Sequence, residues 1–284
     1  YLRTAPFVLG PEDGGTETAP VRYEAAPGAA PVFSGGRVIS GWRETEDGLW
    51  TTRVPEVASG DWYFEQLFVN GRRAVRAREP DRFYFYMQDV REEVQESGGR
   101  VASQATQSVR LHPDVLQQTL GRVSPDALID VNMLVYHKWD STRRRIHGLL
   151  PERDSLVTRG TGMKSWNPWQ RNTPFHLENF RAALDTPGEW FLDRDGTLSY
   201  LPLPGEDIAR ARVVAPVADQ FLVIAGDPAA GRFVDHVTIA GLAFEHAGWL
   251  TPPGGFEAEQ AAASIEAVVQ VDGARHLTLE DCAF

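Results

Sequence analysis

His236-Val237-Thr238-Ile239-Ala240-Gly241-Leu242-Ala243-Phe244 is echoed by His276-Leu277-Thr278-Leu279-Glu280-Asp281-Cys282-Ala283-Phe284. Histidine, threonine, alanine and phenylalanine recur at the same offsets after a shift of 40 residues, with aliphatic residues around the threonine. Self-similarity at such a period marks stacked repeats, each burying its apolar face against the next. An apolar run ending in glycine precedes each copy, Phe221-Leu222-Val223-Ile224-Ala225-Gly226 before the first and Val268-Val269-Gln270-Val271-Asp272-Gly273 before the second. Strand, glycine corner and second strand therefore recur, which predicts three-sided parallel β-coils. One such unit cannot stack alone, so the repeat is expected to continue in a longer protein. His236 and His276, at equivalent positions, read as parts of this scaffold.

Upstream, residues 1–42 consist of short strands punctuated by Gly/Pro turns, such as Phe7-Val8-Leu9 before Gly10-Pro11-Glu12-Asp13-Gly14-Gly15. Residues 43–165 have a different texture. Asn70-Gly71 between apolar runs predicts a hairpin, 113–120 a short helix with proline at its start, and 130–139 an alternating strand. The polar stretch 88–108 reads as a solvated excursion. This region is expected to be a β-rich domain inserted into the coils. Residues 166–284 bring a second hairpin at Asp195-Gly196 and then the coils, with 247–264 as a long loop between them. The predicted class is all-β in the main: the start of a parallel β-helix with an inserted β-rich domain.

Composition narrows the function. A net charge of −11 disfavours nucleic acid, whose phosphates reward clustered Lys and Arg. No run approaches 18 apolar residues, so no membrane span is expected. The single cysteine, Cys282, excludes an intrachain disulfide. Tyr1-Leu2-Arg3 reads as mid-strand, without initiator methionine or signal peptide, so the natural N-terminus is expected upstream. The histidines lack HxH or HExxH spacing, and neither a P-loop nor a GxGxxG follows a strand. No metal or cofactor is expected, although scattered carboxylates leave calcium open.

An ordered series of short motifs resembles a known family. It begins with Leu9-Gly10-Pro11-Glu12-Asp13-Gly14-Gly15-Thr16 and Pro31-Val32-Phe33-Ser34-Gly35-Gly36. Gln66-Leu67-Phe68-Val69-Asn70-Gly71, Pro187-Gly188-Glu189-Trp190-Phe191-Leu192-Asp193 and Pro204-Gly205-Glu206-Asp207 follow. Ile239, Gly241, Leu242, Phe244, Glu245 and His246 complete it. The set resembles glycoside hydrolase family 141, within the pectin-lyase-like superfamily, over essentially the whole chain. The resemblance implies a right-handed parallel β-helix, in an extracytoplasmic or secreted enzyme of fucosidase or xylanase type with an inserted β domain. It also implies that the catalytic carboxylates lie on later coils, so no catalytic pair is carried onto this chain.

Glycoside hydrolysis ordinarily needs two carboxyl groups about the scissile bond, and Glu245, Glu280 and Asp281 lie beside the repeat. Each reads first as an exposed corner or surface carboxylate. His246 and Trp249 enter the 247–264 loop, where an indole face can stack on a sugar and an imidazole can bond a hydroxyl. Trp139 and Asp140, beside Arg143-Arg144-Arg145, offer a second contact zone, the arginines reading as a solvated basic run. The expected partner is a carbohydrate. Two other readings remain open: a non-catalytic carbohydrate-binding or adhesion β-helix, and a polysaccharide lyase or epimerase acting on an acidic sugar.

Overall fold

The computed structural model describes residues 5–258 and 264–284. The Tyr1–Arg3 expectation and residues 259–263 of the expected loop lie outside them. Strands dominate, as expected, and the sheets are of mixed sense.

Parallel pairing occurs in three ladders. Phe7–Leu9, Leu222–Ala225 and Val269–Asp272 form one. Val21–Glu24, Val234–Ala240 and Ala274–Glu280 form the second. Val32–Ser34 pairs with Ala243–Glu245 in the third, and Ala243 bridges onward to Ala283. The two copies of the echo are in register, with Val237 opposite Leu277, Thr238 opposite Thr278 and Ile239 opposite Leu279. A 40-residue shift in sequence is therefore one step across a ladder.

Leu9, Leu222, Ile224, Val234, Val237 and Ile239 fill the space between the ladders. Phe33, Phe244 and Phe284 stack in a column, with ring centroids 5.6 Å and 5.2 Å apart. Such pairs add about 0.5–1.5 kcal/mol each beyond their burial. At the corner a Cβ on Gly226 would meet the Gly273 carbonyl oxygen at 2.1 Å, so only glycine fits.

Between the ladder strands the chain builds sheets that are chiefly antiparallel. A nine-stranded sheet runs from Arg78–Glu79 through Pro174–Glu178, Asn132–Tyr136, Ser141–Leu150, Ser155–Gly160 and Gln104–Arg110 to Asp89–Glu96, with Phe85–Tyr86 and Phe256–Glu257 paired off this path. Its core face presents Met133, Val135, Phe175 and Leu177, all fully buried. A second core gathers Trp50, Phe64, Leu67, Trp190 and Tyr200. Both predicted hairpins form, the first with Asn70 and Gly71 at φ 52° and 77°, the conformation its tight turn requires. Pro113–Gln118 is helical.

Residues 88–108 depart from the expected excursion. Asp89–Glu96 and Gln104–Arg110 form a hairpin, and Ala105, Gln107 and Val109 are buried in alternation. Gln107 conceals the alternation because its amide is a core residue, bonded to Glu92 and Thr158. Among the described residues no helix is long and apolar enough to cross a membrane.

Candidate functional site

The polar face of the nine-stranded sheet follows from strand alternation. With Met133, Val135, Phe175 and Leu177 turned to the core, Asn132, Leu134, Tyr136, His176 and Glu178 point the other way. Cross-strand register sets Leu134 against His176, Asn132 against Glu178, and Arg143 against Leu134. Four polar groups of the sheet, with Arg76 beside them, thereby meet. Glu178 accepts from Arg143, lies 3.4 Å from Arg76 and lies 3.6 Å from His176 Nε2. Tyr136 Oη and His176 Nδ1 are 3.0 Å apart. Burial works to raise the Glu178 carboxyl, but Arg143, His176 and Arg76 overcome it and hold the group far below the usual carboxylate range.

The network reaches inward through Arg76, which is 3.6 Å from Glu65. Glu65 Oε2 accepts from Thr251 N–H at 3.1 Å and Thr251 Oγ1 at 2.6 Å. Arg145 lies 3.7 Å from Glu65. Arg76 Nε and Asn132 Oδ1 are buried there without a hydrogen bond among the described residues, a condition that calls for an explanation in any native fold. Outward, the face ends in aromatics. Tyr84 packs on Tyr136 at 5.0 Å, and Tyr84, Tyr86 and Phe83 are exposed, Phe83 by 86%. Phe83 also has φ 63°, which is a true outlier for a bulky side chain. Sequence reading missed this face. Its signal was the alternation in Pro174-Phe175-His176-Leu177-Glu178, whose partners come from strands far away in sequence.

A groove of about 890 Å³ lies beyond it, lined in part by Trp249, Phe256, Asp219, Glu257, His147 and Arg159. Trp249 is fixed through its backbone: its N–H donates to Gln66 Oε1 at 2.9 Å and its carbonyl accepts from Gln66 Nε2 at 2.7 Å. Its ring meets Phe256 edge-on at 5.4 Å. Burial, reinforced by Glu266, raises the Asp219 carboxyl. Glu257 is locked, 3.1 Å from Arg144 and 3.3 Å from Lys164.

The other expected residues do not converge on this groove. Glu245 is exposed at a strand end, 3.9 Å from His246 Nδ1. His246 is buried, 3.0 Å from Ser34 Oγ and edge-on to Phe68 at 4.9 Å. Burial lowers its pKa against the pull of Glu245. Asp281 is exposed on the turn after Ala274–Glu280, at φ 51°. Trp139 is 61% exposed. The Asp140 carboxylate is enclosed, accepting from Lys164 at 2.8 Å and Asn167 at 2.6 Å. The basic run is not solvated, since Arg144 is buried and Arg143, Arg144 and Arg145 all engage carboxylates.

Two groups among the described residues could hold a cation. Asp81, Asp185 and Glu189 place carboxylate oxygens within 4.8 Å of one another, and so do the ligand atoms of Asp235, His236 and His276. Glu189 is buried, and burial, with Asp81 nearby, pushes its carboxyl up to about 7. It accepts backbone N–H bonds from Arg78, Asp185 and Thr186.

The molecule is thus a mainly β protein in which a large sheet, bearing a polar face and an aromatic rim, stands beside stacked parallel strands. The model of the GH141 insertion domain matches residues 47–203, more than half of the chain, and the chain belongs to that family. At the level of the family this allies it with glycoside hydrolases. A solved structure described as a glycoside hydrolase aligns with a TM-score of 0.71 at 24% identity, covering 99% of this chain and 52% of its own. That likeness is one of fold, and the present chain spans about half of that structure's length. A structure of XylC with xylose aligns at a TM-score of 0.31 and 12% identity, over 84% of this chain and 28% of its own, too weakly to argue from. No curated protein matches.

Proposed function

We propose that this chain is the substrate-binding portion of a glycosidase of fucosidase or xylanase type, acting outside the cytoplasm on a polysaccharide or its side chains. In this reading the three ladders are turns of a right-handed parallel β-helix of the pectin-lyase-like kind, and residues 43–165 are the inserted domain. Membership of the GH141 insertion-domain family supports the class. The in-register pairing of the 40-residue echo supports the β-helix.

The groove beside Trp249 carries the reading. Sugars combine apolar C–H faces with hydroxyls that need directed partners, and the groove sets Trp249 and Phe256 among Asp219, His147 and Arg159. Glu257 is already engaged by Arg144 and Lys164, so the part assigned here is binding, with the reacting carboxyl groups supplied elsewhere in the enzyme.

Calorimetric titration with neutral xylo- and fuco-oligosaccharides tests this. Binding that weakens about tenfold in Trp249→Ala, the loss of one stacking contact of about 1–1.5 kcal/mol, is expected. Equal affinity in the variant, or no binding at millimolar sugar, removes the reading. A non-catalytic carbohydrate-binding protein is the second reading, favoured by the locked Glu257. It predicts that the full-length protein binds the same sugars without releasing product.

A further inference from the structure

We propose that Asp235, His236 and His276 form a binding site for a borderline divalent cation, zinc or nickel, that clamps two successive levels of one parallel ladder. This site is independent of the carbohydrate reading. His236 lies on Val234–Ala240 and His276 on Ala274–Glu280, neighbouring strands of that ladder. Both have left-handed backbones, at φ 49° and 47°, and their rings stack at 4.3 Å and 15° from parallel.

One carboxylate oxygen serves both rings. Asp235 Oδ1 lies 2.7 Å from His276 Nδ1 and 3.6 Å from His236 Nε2. Ligands about 2.0–2.1 Å from a tetrahedral zinc stand roughly 3.3 Å apart, and the two observed separations bracket that value. Stacked rings cannot aim both lone pairs at one point. The outer torsion of a histidine is soft, however, so a bound ion would require one ring to swing about it and open the stack around Oδ1. Asp235 is opposite Arg275 in register, which would neutralise it. The Arg275 guanidinium instead lies over the Phe233 ring at 3.5 Å, leaving the carboxylate to the two imidazoles and to the His236 backbone N–H, which donates to Oδ1 at 2.9 Å. Two imidazoles and one carboxylate suit zinc or nickel and not magnesium, which prefers oxygen and water.

Thermal unfolding and calorimetry with Zn²⁺, Ni²⁺ and Mg²⁺ alone decide the matter. Zinc and nickel are expected to bind one per chain and raise the unfolding midpoint with concentration, as a ligand of the folded state must, while magnesium does neither. His276→Ala and His236→Ala should each weaken zinc binding about tenfold or more, and His112→Ala, at an exposed histidine elsewhere, should leave it unchanged. Loss of binding on acidification is also expected, because protons compete for imidazole. Should His276→Ala fail to fold, X-ray absorption of the zinc-loaded native chain replaces it, with two imidazole scatterers expected. Absence of a zinc-induced shift, undiminished binding in His276→Ala or His236→Ala, or a spectrum without imidazole overturns the proposal.

Discussion

Glu178 is the residue on which the polar face depends. Two guanidinium groups and the His176 imidazole surround it, so Glu178→Gln strands Arg143 without its counter-charge and leaves Arg76 with Glu65 alone. Breaking a buried pair in this way costs about 3–5 kcal/mol, to be measured as a lowered urea midpoint at pH 7. Because the folded-state pKa is depressed, the stabilisation is complete above the unfolded value of about 4.5 and fades as pH falls below it. The variant should lose that acid limb. Glu189 has the opposite sign. Its folded pKa is raised from 4.5 to about 7, so the folded state holds the proton longer and stability falls as pH rises from 4.5 to 7. Glu189→Gln should flatten that decline, and urea midpoints identical to the native chain at pH 4.5 and pH 8 would refute it. Little of this was legible in the sequence. The alternation of His176 and Glu178 was there to read, but Arg76 stands 102 residues before Glu178. In sequence Asp140 reads as a sugar contact beside Trp139; in the fold Lys164 and Asn167, 24 and 27 residues on, enclose it.

Among the elements, the segment that brings Trp249 to the groove is held at both ends. Gln66 clasps the Trp249 backbone, and Phe256–Glu257 pairs with Ser141–Leu150 as an added strand. Lys164 joins Asp140 to Glu257, and those two carboxylates raise its pKa against burial. Lys164→Met leaves two buried carboxylates short of a cation. It is expected to cost about 3–5 kcal/mol and to weaken oligosaccharide binding by releasing the groove wall. Calorimetry showing native affinity would mean that the strand pairing alone positions the segment. Glycine-marked turns were the most legible features at this scale, because Asn70-Gly71 and Asp195-Gly196 specify their own backbone. Polar strands such as Gln104–Arg110 were not, since a satisfied core amide looks like a surface one in sequence.

At the scale of the molecule, the repeat and the β character were legible because stacking needs the same apolar residues at the same offsets. The polar face was not, since it exists only where three strands distant in sequence lie side by side. The corner at Gly226 and Gly273 bears on the whole stack. Gly226→Ala would drive its methyl into the Gly273 carbonyl oxygen, and an unfolding midpoint close to the native one would show that the corner can yield. If it cannot, the interval between levels is fixed by backbone touching backbone, a gauge independent of side-chain volume. Aliphatic residues inside the ladders are then free to drift in size over evolutionary time while the pitch stays constant, and a wall built along the levels keeps its spacing even as its lining changes.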